Sequence, residues 1–394
     1  MALQFKLNFD MMNITSKKIF IVCDSSRSLL DFRGKLIEKM QQHNQVYVFT
    51  PKIEQESVRS KLKEMNVITY ESKLDGSNVS ILSDLRFIFS LYKLIRQIKP
   101  DIFFPYTFKP VIYGSFLAKI CKVKLIAPML TGLGYNFTDN SSGNTLIVKI
   151  TRLLLKLSLK PNPRLNIIFQ NKDDSQRLID LKILNKKHQV HVVNGSGVDL
   201  SHYHYTKPST SPITFLMVSR LINAKGIKEY YDAAKLIKQR FPQAVFKLIG
   251  PYGPNIDAIA PELYQKIASG DTIQYIGQVD DVRPDIERSS VMVHPSYYGE
   301  GVPRCVLEGM AIGRAVITCD SVGCRETINN DPKQTNGFLV PVKDAGALAN
   351  KMEYFINNSN DIIAFGNKGH EFAKTKFDVN IVNAELFKIM RLQD

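Results

Sequence analysis

Two carboxylates with seven residues between them, Glu300 and Glu308, bracket the segment Glu300-Gly-Val-Pro-Arg-Cys-Val-Leu-Glu308-Gly-Met-Ala-Ile-Gly-Arg314. Glu300 lies in a Gly-flanked loop after a strand-like run, Val291-Met-Val-His-Pro295. Pro303 suits the first turn of a helix, where a missing N–H costs little. Glu308 then falls about one turn inside that helix, whose apolar stretch ends near Gly313. A loop carboxylate, a helix carboxylate and a positive helix N-terminus between them make a ready anion site. A diphosphate flanked by hydroxyl-rich groups has the matching chemistry. Taken alone, the spacing also suits two surface glutamates at a helix start. A second cluster bears on the choice: Val218-Ser219-Arg220-Leu-Ile-Asn-Ala-Lys225-Gly226 puts an arginine at a strand end and a lysine just before a glycine and a helix. Two cations there can neutralise a diphosphate without a metal, and both should be exposed in an empty cleft.

After the helix come Ala315-Val-Ile-Thr-Cys-Asp320, Ser321-Val-Gly-Cys-Arg-Glu326 and Asn336-Gly-Phe-Leu-Val-Pro341. Together these segments resemble the nucleotide-sugar-binding half of retaining glycosyltransferases of family 4, which have the GT-B fold. Pro295-Ser296, Glu300-Gly301, Pro303, Leu307-Glu308 and Met310-Ala311 match the family pattern. Gly309 stands where Ala is usual and Ala315 where Pro is usual, and Gly weakens a helix by about 1 kcal/mol. The resemblance implies that Arg220 and Lys225 contact the nucleotide diphosphate. It implies that Glu308 holds the ribose hydroxyls and that Glu300 lies beside the donor sugar. The run Gly301, Val302, Pro303, Arg304, Cys305 and Val306 would line the same donor site. No metal and no other cofactor are expected. An oxocarbenium-like transition state leaves negative charge on phosphate, which fixed cations stabilise.

The elements that must position these groups alternate between strand and helix. Short apolar runs begin at Ile19, Val46, Asp101, Lys124, Asn166 and Val190, and a second series begins at Ile213, Ala244, Thr272, Val291 and Ala315. Such alternation predicts an α/β chain with two doubly wound, Rossmann-like parallel sheets facing across a cleft, ligands binding at the carboxyl ends of strands. The polar stretch from Ser201 to Pro212 is the natural joint. The expected division is residues 1–205 for an acceptor domain, 206–375 for the nucleotide-sugar domain, and a C-terminal helix at 376–394 returning to the first.

Five cysteines without a CxxC pair argue against a disulfide framework and for a reducing cytoplasm. No run is apolar enough to span a membrane, no metal-ligand cluster stands out, and the start does not read as a signal peptide. Residues 1–207 hold 31 Lys and Arg against 16 Asp and Glu, while residues 208–394 hold 21 of each, so the whole surplus of +15 lies in the first half. Basic faces attract nucleic acid, anionic lipid or acidic substrates. No nucleic-acid motif accompanies the lysines, which leaves the membrane as the expected partner. In Leu146–Lys160, Lys149, Arg152, Lys156 and Lys160 fall within roughly an 80° arc of a helix, with Leu and Ile around the rest. That is either a membrane-interface helix or a core helix with one solvated basic stripe.

The first half looks like family 4 enzymes of bacterial surface-polysaccharide assembly, on the segments Tyr106–Gly114, Thr131–Thr138, Phe169–Asp174 and Gly195–Asp199. Several of those extend sugars linked to undecaprenyl diphosphate. The expected activity is hexosyl or N-acetylhexosaminyl transfer from a UDP-sugar to a lipid-linked saccharide, at the inner face of the plasma membrane. A GDP-mannose-dependent mannosyltransferase and a GT-B nucleotide-sugar epimerase are the alternatives. Ser26, Arg33, Tyr106, Lys109, Thr131, Gly132 and Gly134 are the candidate acceptor contacts. Asp24-Ser-Ser-Arg-Ser28 replaces the Gly-Gly pair of many members, which puts that loop's hold on donor phosphate in doubt. Tyr106 stands near where other members carry a His, so no base is assigned there.

Overall fold

In a computed structural model, residues 16–72, 81–134, 137, 146–253, 255 and 257–393 are described. The first series gives β1 (Lys18–Val22), α1 (Ser28–Gln41), β2 (Gln45–Pro51), α2 (Glu56–Glu64), β3 (Ile68–Ser72), α3 (Ile81–Ile98), β4 (Ile102–Pro105), α4 (Phe108–Ile120) and β5 (Leu125–Ile126). It continues with β6 (Met129–Leu130), α5 (Leu146–Ser158), β7 (Asn166–Phe169), α6 (Lys172–Asp180) and β8 (Gln189–Val192). These strands pair in the orders β3-β2-β1-β4-β5 and β6-β7-β8. Parallel bridges from Tyr106 to Met129 and from Ile126 to Leu165 link the two sheets.

The second series runs β9 (Thr214–Val218), a 3-10 turn (Asn223–Lys225), α7 (Ile227–Arg240), β10 (Val245–Ile249), α8 (Pro261–Ala268), β11 (Gln274–Gly277), α9 (Arg283–Glu287) and β12 (Val291–His294). Then come α10 (Arg304–Ile312), β13 (Ala315–Cys319), β14 (Gly337–Val340), α11 (Ala345–Asn357), α12 (Ser359–Lys376) and α13 (Val379–Ile389). Its sheet order is β11-β10-β9-β12-β13-β14, with each neighbouring pair parallel. The chain is thus two Rossmann-like α/β domains.

Period-2 side-chain alternation explains the layering. On β1, Phe20 and Val22 enter one apolar cluster while Ile19 and Ile21 enter the cluster on the opposite face. On β9, Phe215 and Met217 divide from Leu216 in the same way. Covering helices on both faces make these strands near-continuous apolar runs. β3 lacks that signature: Ile68-Thr-Tyr-Glu-Ser is a part-exposed edge strand, which is why its sequence hides it. Two chain crossings join the domains and bond to each other, Val198 N–H to the Phe377 carbonyl at 2.8 Å and Val379 N–H to the Val198 carbonyl at 3.0 Å. Beyond that crossing α13 buries Val382, Leu386 and Phe387, and the Met390 that caps it, in the first domain's core.

α10 departs from expectation at two places. Pro303 caps it from outside in an extended conformation, and the helix starts at Arg304. Gly309 is also more than a weak helix former. A Cβ there would lie 2.3 Å from Met292 Cγ on β12, so the glycine lets the helix seat against the strand. Gly309→Ala gains about 1 kcal/mol of propensity but overpacks a closed site at a cost of roughly 1–3 kcal/mol. The expected result is a net loss near 1 kcal/mol, read as a melting temperature lower by about 2–4 °C. A variant that melts at or above wild type would show that Met292 moves aside freely.

Candidate active site

β9 stops at Val218, and the chain turns through Arg220 and the 3-10 turn to Gly226, whose φ is 77°. A Cβ at Gly226 would sit 2.3 Å from the Pro295 carbonyl oxygen, so the loops after β9 and β12 touch backbone to backbone. That contact delivers Lys225 to Glu300, Nζ to Oε1 at 2.7 Å. His294 Nε2 reaches the same oxygen at 2.8 Å. The Tyr298 ring faces both cations, 5.2 Å from Lys225 Nζ and 5.9 Å from the Arg220 guanidinium. Arg220, Lys225 and Glu300 therefore converge on one spot at the carboxyl ends of β9 and β12. Arg220 is exposed, as expected. Lys225 is not: its side chain is only 11% exposed, because Glu300 holds it.

Burial alone would raise the Glu300 carboxyl, but the Lys225 ammonium and the His294 imidazole hold it well below its ordinary value. Burial would likewise depress His294, yet the Cys305 sulfur and Glu300 beside it keep the imidazole well above its usual range. The result is a fixed anion between two cations. His294 was not among the residues singled out from sequence. It ends an apolar strand run, where a histidine reads as core, and only the 2.8 Å contact reveals its role. Cys305 Sγ lies 3.5 Å from its other ring nitrogen. Among the described residues, His294, Glu300 and Cys324 bring donor atoms within 4.8 Å of one another, and Lys225 lies against the same carboxylate, 2.7 Å from Glu300 Oε1.

On α10, Glu308 accepts from the Tyr203 hydroxyl at 2.8 Å and from Arg304 Nε at 3.1 Å. Burial pushes its carboxyl up, against the pull of Arg304 and Tyr203. Arg304 Nη1 also donates to the Asp31 carbonyl of α1 and lies over the Phe32 ring, tying the two domains together at the α10 N-terminus. Val302, Pro303 and Val306 are buried beneath this corner, and Cys305 is half-buried against His294.

The first domain supplies the opposite wall. Asn171, the N-cap of α6, donates to the carbonyls of Gly301 at 2.9 Å and Glu300 at 3.2 Å. Gly132 has φ 126°, and a Cβ there would lie 2.8 Å from Gly301 N. The Glu300 loop thus approaches this loop backbone to backbone. Gly134 N–H donates to the Gly299 carbonyl at 3.2 Å. Thr131 is next to them, its carbonyl oxygen 2.7 Å from where a Gly301 Cβ would be. The remaining acceptor candidates come from α1, the loop before it and the β4–α4 segment. Ser26 Oγ donates to the Lys52 carbonyl at 3.3 Å, and the buried Tyr106 hydroxyl is 3.0 Å from Ser28 Oγ. Lys109 is paired with Asp84 at 3.0 Å, and Arg33 is buried rather than free at the cleft.

α5 exposes apolar residues as well as its basic stripe, unlike a core helix whose one solvated face is basic. Lys149, Lys156 and Lys160 are exposed, while Arg152 is half-buried and lies 5.6 Å from the Phe137 ring centre. Val148 and Leu155 face the core, but Leu146 (72% exposed), Ile150, Leu153, Leu154 and Leu157 are exposed beside the lysines. The neighbouring helices add exposed Phe116 and Ile120 on α4, and Leu85 and Phe89 (71% exposed) on α3. No helix among the described residues is long and apolar enough to cross a membrane.

The two halves match different family models, "Glycosyl transferase 4-like" over residues 19–171 and "Glycosyl transferases group 1" over residues 212–358. Similar curated proteins include the N,N'-diacetylbacillosaminyl-diphospho-undecaprenol alpha-1,3-N-acetylgalactosaminyltransferase of Campylobacter jejuni, 24% identical over 94% of this chain and 98% of the relative. The UDP-Gal:alpha-D-GlcNAc-diphosphoundecaprenol alpha-1,3-galactosyltransferase of Escherichia coli is 25% identical over 70% and 71%. Among solved structures, sucrose-phosphate synthase from Thermosynechococcus elongatus superposes with a TM-score of 0.77 at 18% identity, covering 95% of this chain and 98% of that one. Anabaena HepE in complex with UDP and glucose gives 0.72 at 17% identity, covering 95% and 99%. With a glycosyltransferase model on each domain and a cleft between two Rossmann-like sheets, the chain belongs to the family 4 glycosyltransferases of GT-B fold.

Proposed function

We propose that this glycosyltransferase moves a hexose or N-acetylhexosamine from a UDP-linked donor to a saccharide carried on undecaprenyl diphosphate, with retention and without a metal. The observation that carries the donor half is the convergence of Arg220, Lys225 and Glu300 around Tyr298. As the bond from the anomeric carbon to the diphosphate oxygen breaks, negative charge grows on the leaving group. The two cations stand ready for it and need no reorganisation. Glu300, ionised and already bonded to Lys225 and His294, does not serve as a general acid at neutral pH. Its task is to fix Lys225 and to accept from donor hydroxyls. Glu308 is set one helical turn away for the ribose. The activities of the two curated relatives support a lipid-diphosphate acceptor, and the UDP complex of HepE supports the nucleotide.

Residues 1–205 serve in this reading as the acceptor domain and 206–375 as the donor domain, with 376–394 returning to the first. The exposed leucines and lysines of α5 support a seat on the anionic inner face of the plasma membrane, without nucleic acid as a partner. The test is transfer of labelled sugar from UDP-hexoses and UDP-N-acetylhexosamines to lipid-linked saccharides in excess EDTA. Full activity in EDTA and an α anomeric signal in the product's NMR spectrum are expected. Activity restored only by Mg²⁺ or Mn²⁺, or a β signal, contradicts the site as drawn. Turnover of GDP-mannose alone, or release of an epimerised free sugar, would favour the corresponding alternative.

A further inference from the structure

Arg33 projects inward from α1 and is only 2% exposed, yet its Nε and Nη1 find no hydrogen-bond partner among the described residues. Nη2 lies 2.9 Å from the Met129 sulfur, a weak acceptor, and the guanidinium is 5.5 Å from the Tyr106 ring centre. Beside burial, the Tyr106 phenol favours its charge, and a second cation, Arg304, opposes it. Buried charges in folded proteins are normally paired, because an unpaired one keeps its full desolvation cost. Burial here drives the guanidinium's pKa down to about 10. For stability alone, methionine or leucine would fill this space better.

The surroundings are polar on one side. The Tyr106 hydroxyl, at the carboxyl end of β4, lies 3.0 Å from Ser28 Oγ in the first turn of α1. Arg304 reaches across from α10 to the Asp31 carbonyl, close to the same helix turn. Carboxyl ends of strands are where α/β sheets bind ligands. The donor diphosphate has its own two cations in the other domain, which leaves Arg33 for a different anion.

We infer that Arg33, with the Ser28 and Tyr106 hydroxyls, is a phosphoryl-binding site for the diphosphate of the acceptor, closed in this arrangement by the Arg304–Asp31 contact. This rests on the acceptor reading above. Charge-assisted bonds from oxygens of a diphosphate, which can reach both edges of the guanidinium, would satisfy the two orphaned nitrogens.

The test compares wild type, Arg33→Met and Arg33→Lys as full-length proteins. Without ligand, Arg33→Met melts at or above wild type, since it removes an unpaired buried charge. With UDP saturating, added inorganic pyrophosphate raises the wild-type melting temperature further, and Arg33→Met loses that second rise while keeping the UDP response. In transfer assays, Arg33→Met raises the acceptor KM about tenfold or more, with the donor KM unchanged, as loss of a charge-assisted bond should. Arg33→Lys falls between. An Arg33→Met variant that melts lower and keeps the pyrophosphate response overturns the inference, as does a rise in donor KM instead. The pyrophosphate comparison needs no sugar acceptor. Absence of transfer to lipid-linked saccharides would therefore count against the functional proposal and leave the anion site standing.

Discussion

Arg220→Ala lowers turnover by roughly 10²-fold or more, as loss of a preorganised charge contact to a developing anion does. Its melting temperature stays close to wild type, because the side chain is exposed. Lys225→Ala should lose as much activity or more, with a second signature. Lys225 and Glu300 are 11% and 15% exposed and 2.7 Å apart. Removing the ammonium leaves Glu300 with His294 as its remaining partner. Breaking a buried pair from one side costs about 3–5 kcal/mol, and the residual exposure here lowers that to roughly 2–3 kcal/mol. The two alanine variants thus separate catalysis from stability. Kinetics and thermal melts on both check the account, and near-normal turnover in either removes the diphosphate assignment.

The second large effect is on the membrane. Lys149, Lys156 and Lys160 changed together to Gln should release protein from anionic vesicles. Each lysine near an anionic leaflet is worth about 1 kcal/mol, so three amount to roughly a 150-fold change in partitioning. Arg152 is left out because it packs on Phe137. Leu146, Leu153 and Leu157 changed together to Ser should weaken binding at high salt as well, where the charge contribution is screened. Activity on a short water-soluble acceptor analogue should survive both triple variants. Vesicle sedimentation equal to wild type for both would place the membrane contact elsewhere.

The strand-and-helix alternation was legible because central strands are buried on both faces and so read as apolar runs. β3 was not, since Ile68-Thr-Tyr-Glu-Ser is part-exposed and carries no such run. At the site, local signals marked residues where chemistry and backbone geometry coincide. Arg220 and Lys225 precede a glycine that only a close loop contact requires, and Glu300 follows a strand end. His294 and Asn171 escaped because their roles come from contacts across sequence. His294 meets a carboxylate on the following loop, and Asn171 reaches 130 positions along the chain to Gly301. Charge patterning showed the basic stripe of α5 but not that Leu146 and Leu153 would be exposed beside it, since periodicity marks a face without saying what covers it.

The central claim is that Arg220, Lys225 and Glu300 form a metal-independent nucleoside diphosphate site. Calorimetric titration of UDP in EDTA, on wild type and Arg220→Ala, tests it most directly. The account predicts saturable binding to wild type and a dissociation constant about tenfold weaker or more for Arg220→Ala, the scale of one lost charge-assisted hydrogen bond. Equal affinity in the two proteins, or binding that appears only when a divalent metal is added, would contradict it.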